Sequence, residues 1–267
     1  MRQIGAVLFD LDDTLTPETD SNEASVLAAC ESIRDPTKVD CELLRDTVRT
    51  LAGELWYGGP AAGYCRELGI SPFEGLWGGF AGDDPALKVL REWVSGYRRK
   101  LWSQALSRQG IGDHGAARIM ADSFIADRRK RHAAFADSRP ALELLRESFA
   151  LGLVTNGASD MQREKLQCSG LASFFSSVVI SCEVGLGKPD QRIFQIALDQ
   201  LGVLPEAAVM VGDNPVRDLA GAMRSGMLAV WVNRRKHAPV PGLTYDFEIR
   251  DLKGLPAILE RFRRFNA

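Results

Sequence analysis

At 267 residues, 45% hydrophobic and 25% charged, the chain is long enough for one large domain or two modest ones, with a sizeable core. A formal charge of −2 gives no electrostatic reason to expect nucleic acid or a membrane surface as partner, and no apolar run approaches the roughly 18 residues that span a bilayer. Five widely spaced cysteines (Cys30, Cys41, Cys65, Cys168, Cys182), with no C-x-x-C pair, predict reduced thiols in a cytoplasmic protein, and residues 1–4 lead straight into the first strand, so no leader is expected.

The first predicted strand runs through Ala6, Val7, Leu8 and Phe9 and ends in Asp10-Leu11-Asp12-Asp13-Thr14-Leu15-Thr16. Adjacent unpaired charges cannot be buried inside a strand, so these carboxylates belong at its carboxyl end, where open α/β sheets bind ligands. Asp10 and Asp12 are two apart and share a side of an extended backbone; Asp13 points elsewhere. Converging carboxylates call for a divalent cation, and hard oxygen ligands suit Mg²⁺.

From residue 17 to 134 only helical periodicity follows. It predicts helices over 18–33, 39–55, 61–68, 86–106 and 116–131, with the glycine- and aromatic-rich stretch 73–84 irregular. The cationic runs 98–100 and 128–131 read as solvated helix faces or as cations facing an anionic substrate. Trp56, Tyr57, Trp77, Trp93 and Trp102 read as core, or as platforms for a base or sugar. Beyond residue 134 helices and strands alternate, with strands over 150–155, 177–181, 207–211, 227–232 and 245–249. Alternation implies right-handed crossovers and a parallel sheet. The predicted fold is therefore α/β, a doubly wound, Rossmann-like parallel sheet formed by 1–16 and 135–267, with an all-α cap over 17–134 inserted after the first strand.

Three later strand ends carry polar residues. Thr155 and Asn156 either cap the next helix or hold phosphate oxygens, together with the backbone of Gly157. Lys188 lies between Gly187 and Pro189 before a helix, where a lysine is either a surface residue or an anion ligand. Asp213, Asn214 and Asp218 follow an apolar strand and are either helix-terminal caps or site residues. Capping does not account for all of these residues recurring together, each at a strand end.

Together, Asp10-Leu11-Asp12-Asp13-Thr14, Thr155-Asn156-Gly157, Lys188-Pro189, and Gly212-Asp213-Asn214 with Asp218 resemble the four motifs of the haloacid dehalogenase superfamily. The resemblance implies that Asp10 attacks phosphorus to form an aspartyl-phosphate, while Asp12 serves as general acid and then base. It implies Mg²⁺ held by the Asp10 carboxylate, the Asp12 carbonyl and Asp213, and phosphate oxygens held by Thr155, Asn156 and Lys188. Asn214 and Asp218 would stand behind these, Asp218 orienting Lys188 or a metal-bound water. The expected activity is Mg²⁺-dependent hydrolysis of a small phosphomonoester, a sugar phosphate or nucleotide, by a monomer or homodimer with neither nucleic acid nor membrane as partner. The presence of Asp12 and Asp213 favours phosphate chemistry over dehalogenation. A phosphomutase or phosphonate hydrolase of the same superfamily, or an inactive binding module, stands as the alternative.

Overall fold

A computed structural model describes residues 3–33 and 38–262; Met1 and Arg2, expected to lead into the first strand, lie outside them. The chain divides into two compact units. One comprises Met1–Pro17, Ala133–Asn156 and Glu164–Ala267, the other Glu18–His132 with Gly157–Arg163.

Strand β1 (Ala6–Phe9) belongs to the first unit, and the chain then enters the helical unit. This unit contains α1 (Glu18–Glu31), α2 (Cys41–Tyr57), α3 (Ala62–Leu68), α4 (Pro72–Trp77), α5 (Pro85–Ser107) and α6 (His114–Arg128). Asp40, Asp84 and Asp113 open α2, α5 and α6, each accepting hydrogen bonds from first-turn N–H groups that have no helical partner. Helix α4 occupies part of the stretch expected to be irregular. Ser71 and Glu74 form a reciprocal capping box there and Pro72 takes the first helical position, which overrides the glycines.

Trp56, Trp77 and Trp102 are buried within this unit, and the Trp56 indole N–H donates to the Ile70 carbonyl at 3.1 Å. These rings are core, as aromatics at helical spacing usually are. Among the cations, Arg99, Lys100, Arg129 and Lys130 are exposed. Arg128 departs from the solvated-face pattern: it is buried over the Trp77 ring, paired with Glu18, and donates to Asn22 Oδ1 at 2.8 Å. The expectation of five reduced thiols is corrected, because Cys30 and Cys41 form a disulfide. The end of α1 and the start of α2 bring their Cα atoms to 5.7 Å, a proximity that an odd cysteine count cannot reveal. Cys65, Cys168 and Cys182 are free thiols. Residues Gly157–Arg163 join this unit through Glu74, whose Oε1 accepts from the Ala158 N–H at 3.2 Å and from Gln162 Nε2 at 3.4 Å.

The α/β unit continues through α7 (Ser138–Leu145), β2 (Ala150–Thr155), α8 (Ser159–Cys168, divided between the units), β3 (Ser177–Ile180), α9 (Ser181–Val184) and α10 (Gln191–Leu201). It ends with β4 (Ala208–Gly212), α11 (Ala220–Arg224), β5 (Leu228–Val232), β6 (Phe247–Ile249) and α12 (Leu255–Glu260). The six strands are parallel, in the order β3-β2-β1-β4-β5-β6. Side chains of β1 alternate between two cores. Val7 and Phe9 pack with Leu142, Leu153, Val211 and Val230, whereas Ala6 and Leu8 pack with Ile193, Phe194 and Met210. Burial on both faces explains why the strands are continuous apolar runs. The sheet changes direction at β1, flanked by β2 and β4, so the carboxyl ends of these strands form the crevice where such sheets bind ligands. Among the described residues no helix is long and apolar enough to cross a membrane.

Candidate active site

Asp10 is the first residue beyond β1. Its N–H still donates to the Val211 carbonyl at 3.0 Å, which extends the strand pairing by one position and fixes the aspartate backbone. The chain then turns sharply. Leu15 and Thr16 donate back to the Leu11 carbonyl at 2.9 and 3.0 Å, while Asp13 takes a left-handed φ of 57° and donates to the Thr16 carbonyl at 2.7 Å. Aspartate tolerates this conformation better than most residues, which accounts for a third acidic residue within four positions at the turn. Arg234 braces the turn from β5's side of the sheet. It donates to the Thr14 carbonyl at 3.0 Å and bidentately to Asp137 at 3.0 and 3.1 Å. Burial raises the Asp137 carboxyl, but hydrogen bonds from Arg234 and the Leu252 N–H outweigh it and hold the group below its usual range.

Lys188, Asp10, Asp213 and Asp218 come together although 208 residues of chain separate the first aspartate from the last. Lys188 Nζ lies 2.5 Å from Asp10 Oδ1 and 2.7 Å from Asp218 Oδ1, with all three side chains buried. Asp218 Oδ2 also accepts the Asn214 N–H at 3.0 Å, so both its oxygens are engaged. This approach needs a glycine at position 212, because a Cβ there would lie 2.3 Å from Asp218 Oδ2. Thr14 donates to the other oxygen of Asp10 at 3.3 Å.

The remaining predicted residues take other positions. Thr155 is buried at the end of β2. The Asn156 amide clasps the Lys188 backbone, its Nδ2 donating to the carbonyl at 2.9 Å and its Oδ1 accepting the N–H at 2.8 Å. Asn214 caps the following turn by accepting the N–H groups of Val216 and Arg217. The Asp12 side chain turns to a residue absent from the sequence reading. Lys165, on α8, brings Nζ to 2.8 and 2.6 Å from its two oxygens. A readable signal existed for Lys165: it falls four residues after buried Met161 and beside buried Leu166, on the apolar face of an otherwise polar helix. Arg234 and Asp137 left no such signal, because their meeting depends on how the sheet folds.

Electrostatics single out the carboxylate cluster. Burial, reinforced by Asp218 and Asp12 and only partly offset by Lys188, pushes the Asp10 carboxyl up to about 7. Asp213 is also raised well above its usual range, by burial and then by Asp10 and Asp218. Burial works against the charge on Lys188, but its two aspartates outweigh it and hold the ammonium above its usual value. One oxygen from each of Asp10, Asp213 and Asp218 lies within 4.8 Å of the others. This set of hard donors, with more negative charge than one lysine can balance, fits a divalent cation. Asp10, Asp213 and Asp218 are the carboxylates that could hold it.

A family model for haloacid dehalogenase-like hydrolases matches residues 4–226. The chain is 38% identical over 248 residues to the phosphoserine phosphatase of Thermus thermophilus, covering 92% of this chain and 96% of that one. It is 34% identical over 238 residues to the glyceraldehyde 3-phosphate phosphatase of Methanopyrus kandleri, with 88% and 86% covered. Among solved structures, the HAD-hydrolase YfnB of Bacillus subtilis, bound to magnesium, superposes with a TM-score of 0.67 at 21% identity, covering 97% of this chain and 99% of that one. That likeness is one of fold.

Proposed function

Since the chain belongs to the haloacid dehalogenase-like hydrolases and is a phosphatase of that family, we propose that it hydrolyses a small phosphomonoester with Mg²⁺ through an aspartyl-phosphate on Asp10. The observation that carries this reading is the buried Asp10–Lys188–Asp218 chain beside Asp213. Asp10 and Asp213, with the carbonyl of Asp12, would hold the ion. When bound, it supplies the positive charge that lets a phosphate dianion approach an anionic nucleophile.

The protein's own groups account for the rest. An Asp10 carboxylate oxygen forms a bond to phosphorus as the bond from phosphorus to the ester oxygen breaks, and Asp12 gives its proton to the departing alkoxide. Asp12 then takes a proton from water as the water oxygen bonds to phosphorus, which releases inorganic phosphate and restores the Asp10 carboxylate. Lys188 and Thr155 bind the phosphoryl oxygens, and Asp218 keeps the ammonium aimed at them. Asn156 acts on this reading by holding the Lys188 backbone, with its side-chain amide already engaged.

The relatives' names support a small metabolite as substrate: phosphoserine, glyceraldehyde 3-phosphate and, in a human relative 27% identical, N-acylneuraminate 9-phosphate. The test is phosphate release with Mg²⁺ from an aryl phosphate, from these three compounds, and from a panel of sugar phosphates and nucleotides. Wild type should act on one or more small esters, and Asp10→Asn on none. Wild-type activity no greater than that of Asp10→Asn would refute phosphatase action. Faster turnover of a phosphoprotein than of every metabolite would refute the substrate class.

A further inference from the structure

The turn after β1 presents two carboxylates, Asp10 and Asp12, and each meets a different buried lysine. Lys188 takes Asp10 at 2.5 Å. Lys165 takes Asp12, reaching both carboxylate oxygens from one Nζ at 2.8 and 2.6 Å. The Lys165 side chain is 2% exposed and that of Asp12 is 26% exposed, so the lysine covers the inner side of a carboxylate whose outer side meets solvent. A buried ammonium is costly unless paired. Lys165 is therefore committed to this contact rather than to solvent, and it comes from a helix whose other buried positions are apolar or amide. Neighbouring hydrogen bonds fix the backbone around Asp12, among them Asp13 N–H to Thr16 and Leu15 N–H to Leu11. What they leave undetermined is rotation of the carboxylate about its own side-chain bonds. Lys165 Nζ, shared by both oxygens, is a donor placed to set that rotation.

We propose that Lys165 is a positioning residue for this phosphatase, holding the Asp12 carboxylate in the orientation from which it exchanges protons with the leaving group and with water. This rests on the phosphatase reading above. Lys165 pairs with Asp12, while Asp10 has its own lysine in Lys188, so removing Lys165 should leave the Asp10–Lys188–Asp218 chain intact. Its loss should therefore weaken the steps that need Asp12 and spare those that need only Asp10. An aryl phosphate separates the two, because a nitrophenolate leaves without a donated proton whereas water attack on the aspartyl-phosphate still needs a base.

The test is pre-steady-state and steady-state release of nitrophenolate by Lys165→Met, with Mg²⁺, in the wild-type and Asp12→Asn backgrounds. In the wild-type background we expect the burst to persist within about threefold in rate, kcat to fall by about 30- to 100-fold, and KM to change little, as for loss of a general base. In the Asp12→Asn background the same substitution should change kcat by less than about twofold. An equal fall in both backgrounds, a burst that slows with kcat, or an unchanged kcat would overturn the proposal. If Lys165→Met does not fold, Lys165→Gln has a similar reach and can donate to only one of the two oxygens at a time, and the same pattern is required of it. Wild type that releases no nitrophenolate sinks the phosphatase reading and this inference together. An active wild type with an additive cycle sinks only the inference.

Discussion

Replacing Asp10 by Asn should stabilise the metal-free protein while abolishing turnover. The Asp10 carboxyl moves from its ordinary 3.8 to about 7, with burial as the main cause. At about 1.4 kcal/mol per tenfold change in ionisation, holding this group charged costs roughly 4 kcal/mol above pH 7. The sign follows from linkage: between pH 4 and 7 the folded chain binds a proton that the unfolded chain has lost. Asp10 therefore detracts nothing from stability below about pH 4, and its cost grows as the pH rises to about 7. The substitution removes that cost, and because the value of about 7 already contains the attraction and hydrogen bond of Lys188, nothing further is subtracted. The gain is on the order of 4 kcal/mol at pH 8, or roughly 8–16 °C in Tm at about 2–4 °C per kcal/mol. Thermal melts in EDTA at pH 8 and pH 4.5 should show Asp10→Asn above wild type at the first pH, with the two close together at the second. Mg²⁺ at pH 8 should narrow the gap by binding wild type. A variant that melts below wild type at pH 8, or a gap independent of pH, would refute the electrostatic account of the cluster.

Arg234→Met should lower Tm at pH 7 by unpairing the buried Asp137, a loss of about 3 kcal/mol. Because Asp137 is held below its usual range, its contribution is present above about pH 4 and fades as the pH falls further, so melts of the two proteins should converge under acid. Gly212→Ala should push Asp218 away from Lys188, since its Cβ would sit 2.3 Å from Oδ2; we expect about 1–3 kcal/mol of destabilisation and reduced phosphate release, and a variant with both unchanged would show that the fit at Gly212 is looser than described.

The fold was legible wherever one residue's environment is set by its near neighbours. Val7, Leu8 and Phe9 form a short apolar run closed by acids, which announces a strand buried on both faces and its functional end. The α4 capping box was equally local, Ser71 and Glu74 being three residues apart, but glycines and aromatics nearby carried more weight in the reading. The meeting of Asp10, Lys188 and Asp218 was readable because they lie beyond the carboxyl ends of β1, β3 and β4, Lys188 after the short helix α9, and parallel strands deliver their ends to one rim. The place of Lys165 on the apolar face of its helix signalled burial, but neither its partner nor that of Arg234 was readable. Those partners, Asp12 and Asp137, lie 153 and 97 residues away and are reached only through tertiary packing. The Cys30–Cys41 disulfide was hidden for the same reason at shorter range, since it depends on the direction in which two helices meet.

The register of β1 also constrains the order in which the chain can assemble during synthesis. Its hydrogen-bonded neighbours are Ala150 to Leu153 on one side and Ala208 to Val211 on the other. As the polypeptide emerges, the central strand of the sheet is made first yet has no edge to pair with until about 140 further residues have been added. The helical insertion has mostly nearer neighbours and is complete in sequence before that point, apart from Gly157–Arg163. Helices can gain order early from local contacts, whereas closing the sheet waits on long-range pairing, the slower kind of event. The four apolar residues of β1 and the acidic turn behind them thus spend the longest interval of any strand in this sheet without partners.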